Sequence, residues 1–169
     1  MTVPPFYFVS LTHPSWEAAL ACARQLPPEA LPELRLDLFP EQDPETMIRA
    51  LGRRCLVSCR RPEQGGAWAG GEGSRLERLL VAAQCRPSWL DLEWELPVPE
   101  VIRDLRGQVR LLRSVHVAPG VFDLEARLQE LPEGDAYKWV GHAGRLAEDR
   151  KSTRLNSSHS DRSRMPSSA

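Results

Sequence analysis

The stretches Glu33–Leu38 (ELRLDL) and Leu90–Glu95 (LDLEWE) alternate charged and apolar residues. Side chains two positions apart in a strand face the same side, so each stretch has one charged face and one apolar face. Strands of a doubly wound sheet are apolar throughout, because helices cover both faces. Charges sent to a common side by several strands favour a closed barrel with a polar interior mouth. For either stretch alone, a surface edge strand is the alternative.

Strand-like and helical segments alternate along the whole organised part of the chain, which is typical of βα units and a parallel sheet. The predicted strands are Phe6–Leu11, Glu33–Leu38, Cys55–Cys59, Leu90–Glu95, Val109–His116 and Tyr137–Val140. The predicted helices are Ser15–Leu26, Asp43–Leu51, Ser74–Cys85, Pro99–Leu105 and Phe122–Leu131. We therefore predict an α/β fold, an incomplete (β/α)8 TIM barrel with about six βα units.

Two of the predicted helices carry capping signals at their starts. Asp43 precedes Pro44, as an N-cap precedes a proline at the first helical position. Ser74 is followed three positions later by Glu77, which is the spacing of a capping box. These residues are the predicted first positions of the second and third helices.

The organised domain is expected to cover residues 1–148. From Asp149 onward the sequence DRKSTRLNSSHSDRSRMPSSA is rich in serine and has no hydrophobic period, which is typical of disorder. The segment DRKSTRLNSSH also resembles the translation of a widely used sequencing adapter. We expect residues 149–169 to be a disordered tail of artefactual origin, with an ordinary disordered tail as the alternative.

Composition narrows the classes of partner. A net charge of −1 over 169 residues gives no reason to expect nucleic acid or an acidic membrane surface. No apolar run approaches the roughly 20 residues of a membrane span, and the N-terminus lacks the basic start of a signal peptide. The four cysteines form no spaced metal motif, and Cys55 and Cys59 are expected to pack in the core. A cytoplasmic protein without a metal is the expectation.

Lysine is scarce in this chain: Lys138 and Lys151 stand against 20 arginines. Arginine can serve almost every surface role of a cation, but a guanidinium cannot form an imine. A lysine kept in the apolar run AYKWVG is therefore interpreted as one whose amine is needed, although chance is the alternative. We predict that Lys138 is a Schiff-base nucleophile at the end of a barrel strand, with burial favouring its neutral form.

Other polar residues near the predicted strand ends complete a candidate site: Ser10, Glu33, Arg35, Arg60, Asp91, Glu93 and His116. His116 ends the strand before that of Lys138 and is the best candidate to accept the proton that an iminium acidifies. A single histidine at a strand end is otherwise more often structural. Arg35 and Arg60 would suit a substrate carboxylate or hydroxyl groups, although Arg35 could instead be neutralised by Glu33 or Asp91.

The glycine-rich segment EQGGAWAGGEG, residues 63–73, has neither the spacing nor the helix junction of a phosphate-binding loop. We predict a mobile loop that could close over a substrate.

Five runs, PELRLDLF, LVSCRRPEQGGAWAG, WLDLEWE, LLRSVHV and AYKWVG, resemble in order and spacing the successive strand motifs of type I 3-dehydroquinate dehydratase. The resemblance extends over residues 6–147. It implies a (β/α)8 barrel, commonly a homodimer, that acts in the shikimate pathway of aromatic amino-acid biosynthesis. Such an enzyme dehydrates 3-dehydroquinate to 3-dehydroshikimate through a lysine imine and needs no cofactor.

By position, the resemblance assigns the imine to Lys138 and proton transfer to His116. It makes Ser10, Glu33, Arg35 and Arg60 substrate-binding residues, and it makes Asp91 and Glu93 an acidic pair that orients the arginine and the histidine. The chain departs from the family pattern at Gln64, where a glutamate is usual, and at Val117. Strands seven and eight are also absent, together with an arginine and a Ser/Gln loop of the family's site.

A remnant with six strands would leave two strand edges unpaired, so we expect the polypeptide to be marginally folded or aggregated and essentially inactive. Two other functions remain open at this point. Another imine-forming barrel enzyme, such as an aldolase, would use Lys138 equally well. A non-catalytic barrel fragment would not need Lys138 at all.

Overall fold

The computed structural model describes residues 6–117 and 129–141. Contacts group residues 6–115 and 131–138 into one compact unit, which holds the core discussed below, and assign 116–117, 129–130 and 139–141 to a second unit. The strands are β1 (Tyr7–Ser10), β2 (Ala30–Arg35), β3 (Leu56–Ser58), β4 (Trp89–Glu93), β5 (Arg110–Val117) and β6 (Ala136–Gly141). The helices are α1 (Trp16–Ala23), α2 (Pro44–Ala50), α3 (Glu72–Gln84) and α4 (Glu100–Asp104), with 3-10 turns at Leu36–Leu38 and Pro62–Gln64.

All six predicted strands are present, and so are four of the five predicted helices. The fifth predicted helix, Phe122–Leu131, falls mostly outside the described residues. No helix in the described part of the chain is long and apolar enough to cross a membrane.

The six strands lie side by side in their order along the chain, and β1 to β5 pair in parallel. A doubly wound sheet would reverse its strand order at a switch point, and this one does not. The register is also staggered. Glu33 of β2 lies opposite Ser10 of β1 but opposite Leu56 of β3, and Asp91 of β4 lies opposite Leu112 of β5. Sequential order with stagger is the geometry of a βα barrel.

An apolar ring lies on one face of the sheet and takes one residue from each strand. Leu56, Trp89 and Leu112 form its buried centre, and three partly buried residues from the other strands pack against them: Phe8, Leu31 and Ala136. The opposite face of the strands packs against the helices, through Leu34, Val57 and Leu90 among others, in a larger core cluster. This arrangement confirms the prediction from the charged strands that one face of the sheet is turned towards the helices and the other towards the barrel interior.

One of the two predicted capping signals is confirmed, and Ser15 is a further cap that was not predicted. Ser15 caps α1 by accepting a hydrogen bond from the amide of Ala18 at 3.2 Å, and Asp43 caps α2 as predicted, at 2.8 Å from the amide of Thr46. The capping box predicted at Ser74 is wrong. Helix α3 begins at Glu72 with Gly71 as its N-cap, and the Ser74 hydroxyl donates to the Gly71 carbonyl at 2.8 Å.

The predicted extent of β2 is also wrong at its C-terminal end. The strand ends at Arg35, and Leu36–Leu38 form a 3-10 turn although the polar alternation continues through them. The reason is a local ion pair: Asp37 turns back to accept hydrogen bonds from Arg35 Nε at 2.9 Å and Nη2 at 2.5 Å.

Cys55 and Cys59 pack in the helix-side core as free thiols, which confirms the packing predicted for them. Burial raises the pKa of each thiol to about 12, so neither is a thiolate at neutral pH.

The helix-side core provides a test of the fold. Leu90, in the central strand β4, is 0% exposed, whereas Val81 on α3 is 46% exposed. We expect Leu90→Ala to lower the free energy of unfolding by about 2–5 kcal/mol, because it removes buried methyl groups and leaves a cavity. Val81→Ala should change it by less than about 0.5 kcal/mol. Urea titration followed by circular dichroism measures both, and equal losses would contradict the assignment of these faces.

Candidate active site

Two residues beyond each member of the apolar ring, every strand carries a polar side chain. This polar ring consists of Ser10, Glu33, Ser58, Asp91, Ser114 and Lys138. Two residues further along lie Arg35, Arg60, Glu93 and His116, on four of the six strands or directly after them. Seven of the eight predicted site residues belong to the first compact unit. Because side chains two apart in a strand face the same side, these seven lie on the face of the sheet that carries the apolar ring. Ser58 and Ser114 belong to the polar ring and were not predicted.

Glu33 is the centre of the polar ring. Its Oε2 accepts a hydrogen bond from Ser10 Oγ at 2.8 Å, and its Oε1 accepts one from Ser58 Oγ at 2.9 Å. Arg60 Nη2 lies 3.4 Å from Oε1, and Lys138 Nζ lies 3.8 Å from Oε2. Ser10, Lys138 and Arg60 are thus brought together by one carboxylate, as the sequence predicted for a common site.

Burial of Glu33 disfavours its charged form, but its partners outweigh that effect. The charges of Lys138 and Arg60 and the hydroxyls of Ser10 and Ser58 hold the pKa of Glu33 below its ordinary value. Glu33 is therefore a carboxylate at neutral pH, although its side chain is only 6% exposed.

Lys138 reaches the polar ring from β6, the strand on which it was predicted. Its side chain is 31% exposed and lies beside a carboxylate, so the prediction of an amine enclosed by apolar neighbours is wrong. The aromatic residues next to it in sequence do not seal it, because neighbouring strand residues point to the opposite face. Partial exposure leaves the amine open to a small molecule.

Arg60 forms ion pairs with two carboxylates. Besides Glu33, it binds Asp91, with Nη2 at 2.5 Å from Oδ2, and Ser114 Oγ donates to the other oxygen of Asp91. Burial raises the pKa of Asp91 above its ordinary value, against the opposing effects of Arg60 and Ser114. Asp91 therefore pairs with Arg60, and the orienting role that the resemblance implied for Asp91 stays a prediction.

Arg35 does not bind Glu33 or Asp91, which corrects one of the predicted outcomes. Its partner is Asp37, with a side chain 0% exposed at the 3-10 turn after β2. Asp37 was seen in the sequence as part of the charge alternation, but it was not predicted as a site residue. Burial opposes ionisation of Asp37, yet the hydrogen bonds from Arg35 and from backbone amides keep its pKa below the ordinary value.

Glu93 forms an ion pair with Arg75 of α3, and its predicted part in orienting a site arginine and the histidine stays a prediction. Its two oxygens accept from Arg75 of α3, at 2.7 Å from Nη1 and 3.2 Å from Nη2, and Arg75 is 0% exposed. Burial raises the pKa of Glu93, although Arg75 lowers it in part. Arg75 was missed because an arginine in a helix is usually solvated. The sequence signal for its burial is the helical spacing that puts Arg75 on the same face as Leu79 and Ala82.

The glycine-rich segment is anchored at its beginning. The carbonyl of Gly65 accepts from Arg35 Nη2 at 3.3 Å, and the amide of Ala67 donates to Asp37 at 3.0 Å. With its amide oriented to satisfy both neighbours, Gln64 donates to Glu93 at 3.0 Å and accepts from Arg61 at 3.0 Å. The predicted mobile loop is thus tied to the site residues over its first half, and its closing over a substrate stays a prediction.

His116 lies in β5 and is half-buried, two positions after Ser114. It belongs to the second contact unit, and its proximity to Lys138 stays a prediction. In residues 6–117 and 129–141, no group of three histidine, cysteine or acidic side chains is arranged to hold a metal ion. The chemistry open to the first unit is that of an amine, buried carboxylates and two arginines.

Comparison with known proteins places this geometry in a family. The sequence model described as type I 3-dehydroquinase matches residues 7–164. A 3-dehydroquinate dehydratase of Dehalococcoides mccartyi strain BAV1 is 32% identical over 146 residues, covering 83% of this chain and 64% of the relative. One from Pyrobaculum aerophilum is 31% identical over 88 residues, covering 50% of this chain and 29% of the relative. The chain therefore spans about two thirds or less of these relatives' lengths.

A solved structure supports the fold independently. The dehydroquinate dehydratase and shikimate dehydrogenase from S. pombe superposes with a TM-score of 0.67 over 91% of this chain and 34% of that one. At 22% identity the likeness is evidence for the fold alone. It confirms the predicted incomplete (β/α)8 barrel.

The lowered pKa of Glu33 gives a pH-dependent test. A carboxyl group whose pKa is lowered by folding stabilises the fold above its ordinary pKa, and that contribution disappears as the pH falls through the lowered value. Glu33→Gln should therefore cost about 1–3 kcal/mol of unfolding free energy at pH 7, with the difference shrinking towards acid pH. Glu95→Gln is the control, because that side chain is 51% exposed. Denaturant titrations from pH 3 to 8 measure both, and a loss for Glu33→Gln that ignores pH would contradict the assignment.

Proposed function

The chain belongs to the type I 3-dehydroquinase family. We propose that the protein is a hydro-lyase that converts 3-dehydroquinate to 3-dehydroshikimate and water. The observation that carries the proposal is the pairing of Lys138 with Glu33 inside a ring of polar residues contributed by all six strands. The names of the Dehalococcoides and Pyrobaculum relatives support the same substrate.

In the first step, the neutral amine of Lys138 adds to the substrate ketone, and the resulting carbinolamine loses water to form an iminium. The amine is available for this step because the Lys138 side chain is partly exposed. The iminium carries a fixed positive charge beside the Glu33 carboxylate. That carboxylate is already oriented by Ser10 and Ser58, so it stabilises the charge without rearrangement.

In the second step, His116 removes a proton from the carbon next to the iminium and forms an enamine. The electrons of the enamine expel the hydroxyl group one carbon further on, and His116 returns the proton so that the group leaves as water. Hydrolysis of the conjugated iminium frees Lys138 and releases the enone product. The water consumed by hydrolysis equals the water released on imine formation, so the net change is the loss of one water.

The remaining site residues bind and orient the substrate in this proposal. Ser10, Glu33, Arg35 and Arg60 contact its hydroxyl groups or carboxylate, while Asp91 and Glu93 hold arginines in place. The mechanism needs no cofactor. A cytoplasmic location and a homodimer are carried over from the family resemblance and from the composition, and size-exclusion chromatography with light scattering would test the dimer.

Lys138 gives a sharp test, because the chain contains one other lysine, Lys151. The chain is first extended by the part of the Dehalococcoides relative that follows the aligned region. Incubation of this chimaera with 3-dehydroquinate and borohydride should reduce the iminium and leave the substrate's carbon skeleton attached to a peptide containing Lys138. Lys138→Arg keeps the positive charge but should abolish the adduct, since a guanidinium forms no imine. Lys151→Arg is the matched control and should leave labelling unchanged. Label on any other residue would refute the mechanism.

The same trapping separates the other functions. An aldolase-type enzyme would be labelled by a keto acid or sugar phosphate in preference to 3-dehydroquinate. A non-catalytic barrel fragment would be labelled by neither. His116→Gln should still trap the substrate but should not give the dehydrated adduct, which is lighter by one water.

For the 169-residue polypeptide made alone, we expect marginal stability and negligible turnover. In the described sheet, β1 and β6 have a neighbour on one side, whereas closed barrels have no edges. Appearance of the enone product, followed by ultraviolet absorbance, measures turnover. The comparison is a chimaera extended by the part of the Dehalococcoides relative that follows the aligned region. A soluble and active 169-residue preparation would contradict this expectation.

A further inference from the structure

Asp37 accepts four hydrogen bonds, and the mechanism above gives it no task. Its Oδ1 accepts from Arg35 Nε at 2.9 Å and from the amide of Arg60 at 3.1 Å. Its Oδ2 accepts from Arg35 Nη2 at 2.5 Å and from the amide of Ala67 at 3.0 Å. One buried side chain thus joins three separate segments: the end of β2, the end of β3 and the glycine-rich loop.

The first consequence concerns Arg35. A bidentate pair through Nε and Nη2 fixes the plane of the guanidinium as well as its position. In the described part of the chain, the hydrogen bonds of Arg35 use Nε and Nη2, so Nη1 is the nitrogen left for a ligand oxygen. The direction in which Arg35 can present that nitrogen is therefore set by Asp37.

The second consequence concerns Arg60, which Asp37 holds through the backbone. The side chain of Arg60 points to Glu33 and Asp91, while its amide points back to Asp37. Residues 60 and 67 meet on the same carboxylate, and the loop between them closes on itself. Gly66 makes this possible, because a Cβ there would clash with the carbonyl group of Arg60.

We propose that Asp37 is a positioning residue that fixes both arginines of the site and holds the loop 60–67 closed. The part concerning the arginines rests on the proposed function, in which Arg35 and Arg60 bind the substrate. The part concerning the loop stands on the hydrogen bonds alone. The two parts therefore have separate readouts.

The loop readout is hydrogen exchange at single amides in the unsubstituted chimaera described under Proposed function. The amides of Arg60 and Ala67 lie outside helices and strands, and loop amides ordinarily exchange fast. Here they should be protected about as well as the amides of β3, and better than the amide of Glu63 in the same loop. Unprotected amides at both positions would overturn the proposal without any substitution.

The variant readout uses Asp37→Asn, which keeps the size of the side chain but turns one acceptor into a donor facing donors. Exchange at the Arg60 and Ala67 amides should accelerate by about tenfold or more, while amides of β4 keep their rates. Asp135→Asn is the matched control, because Asp135 also accepts a backbone amide, that of Leu111 at 2.7 Å. Equal acceleration of the loop in both variants would overturn the proposal.

The substrate readout is the concentration of 3-dehydroquinate that gives half-maximal borohydride labelling of Lys138. Asp37→Asn should raise it by about tenfold with little change in the maximal labelling, since the nucleophile is untouched and the arginines are misplaced. Asp37→Glu should recover part of the loss. A lower maximum at an unchanged half-saturation concentration would contradict a positioning role. If the unsubstituted chimaera takes no label, the proposed function fails, and the exchange experiment still decides the role of Asp37 in the loop.

Discussion

The carboxylate of Glu33 is the interaction on which the site depends. A buried charge is costly unless hydrogen bonds and opposite charges surround it. Glu33 receives them from β1, β3 and β6 and from Arg60, which follows Ser58 by two residues. Each partner must therefore lie at a definite position along its strand. The staggered register of the strands sets that position, so the same feature that identifies a barrel also assembles the polar ring.

The buried arginines of the site region each have an acidic partner: Arg60 pairs with Asp91, Arg35 with Asp37 and Arg75 with Glu93. Replacing a whole buried pair by apolar residues is often neutral for stability, whereas removing one partner is strongly destabilising. Their presence is thus weak evidence for a contribution to stability. It is better explained by orientation, because each pair fixes a guanidinium or a strand end near the candidate nucleophile.

The sequence allowed the strand order, the inner and outer faces and most of the ring to be predicted, because a period of two carries that information locally. It could not show the partner of Arg35, since the alternation through Asp37 reads as continued strand while the ion pair folds it into a turn. Arg75 was missed for a related reason: helical arginines are usually solvated, and its burial depends on Glu93 in the next element, β4. Lys138 was found by its rarity, but its exposure depends on neighbouring strands and could not be read from composition.

The offset of two residues between the apolar ring and the polar ring is the same in all six strands. This constrains how sequences of the family can be recombined. An insertion of one residue inside a strand would exchange the two faces from that point onward, whereas an insertion in a connecting loop would leave both rings intact. Crossover points in libraries of chimaeric barrels therefore belong in the loops, and alignment gaps within strands would mark errors of alignment rather than natural variation.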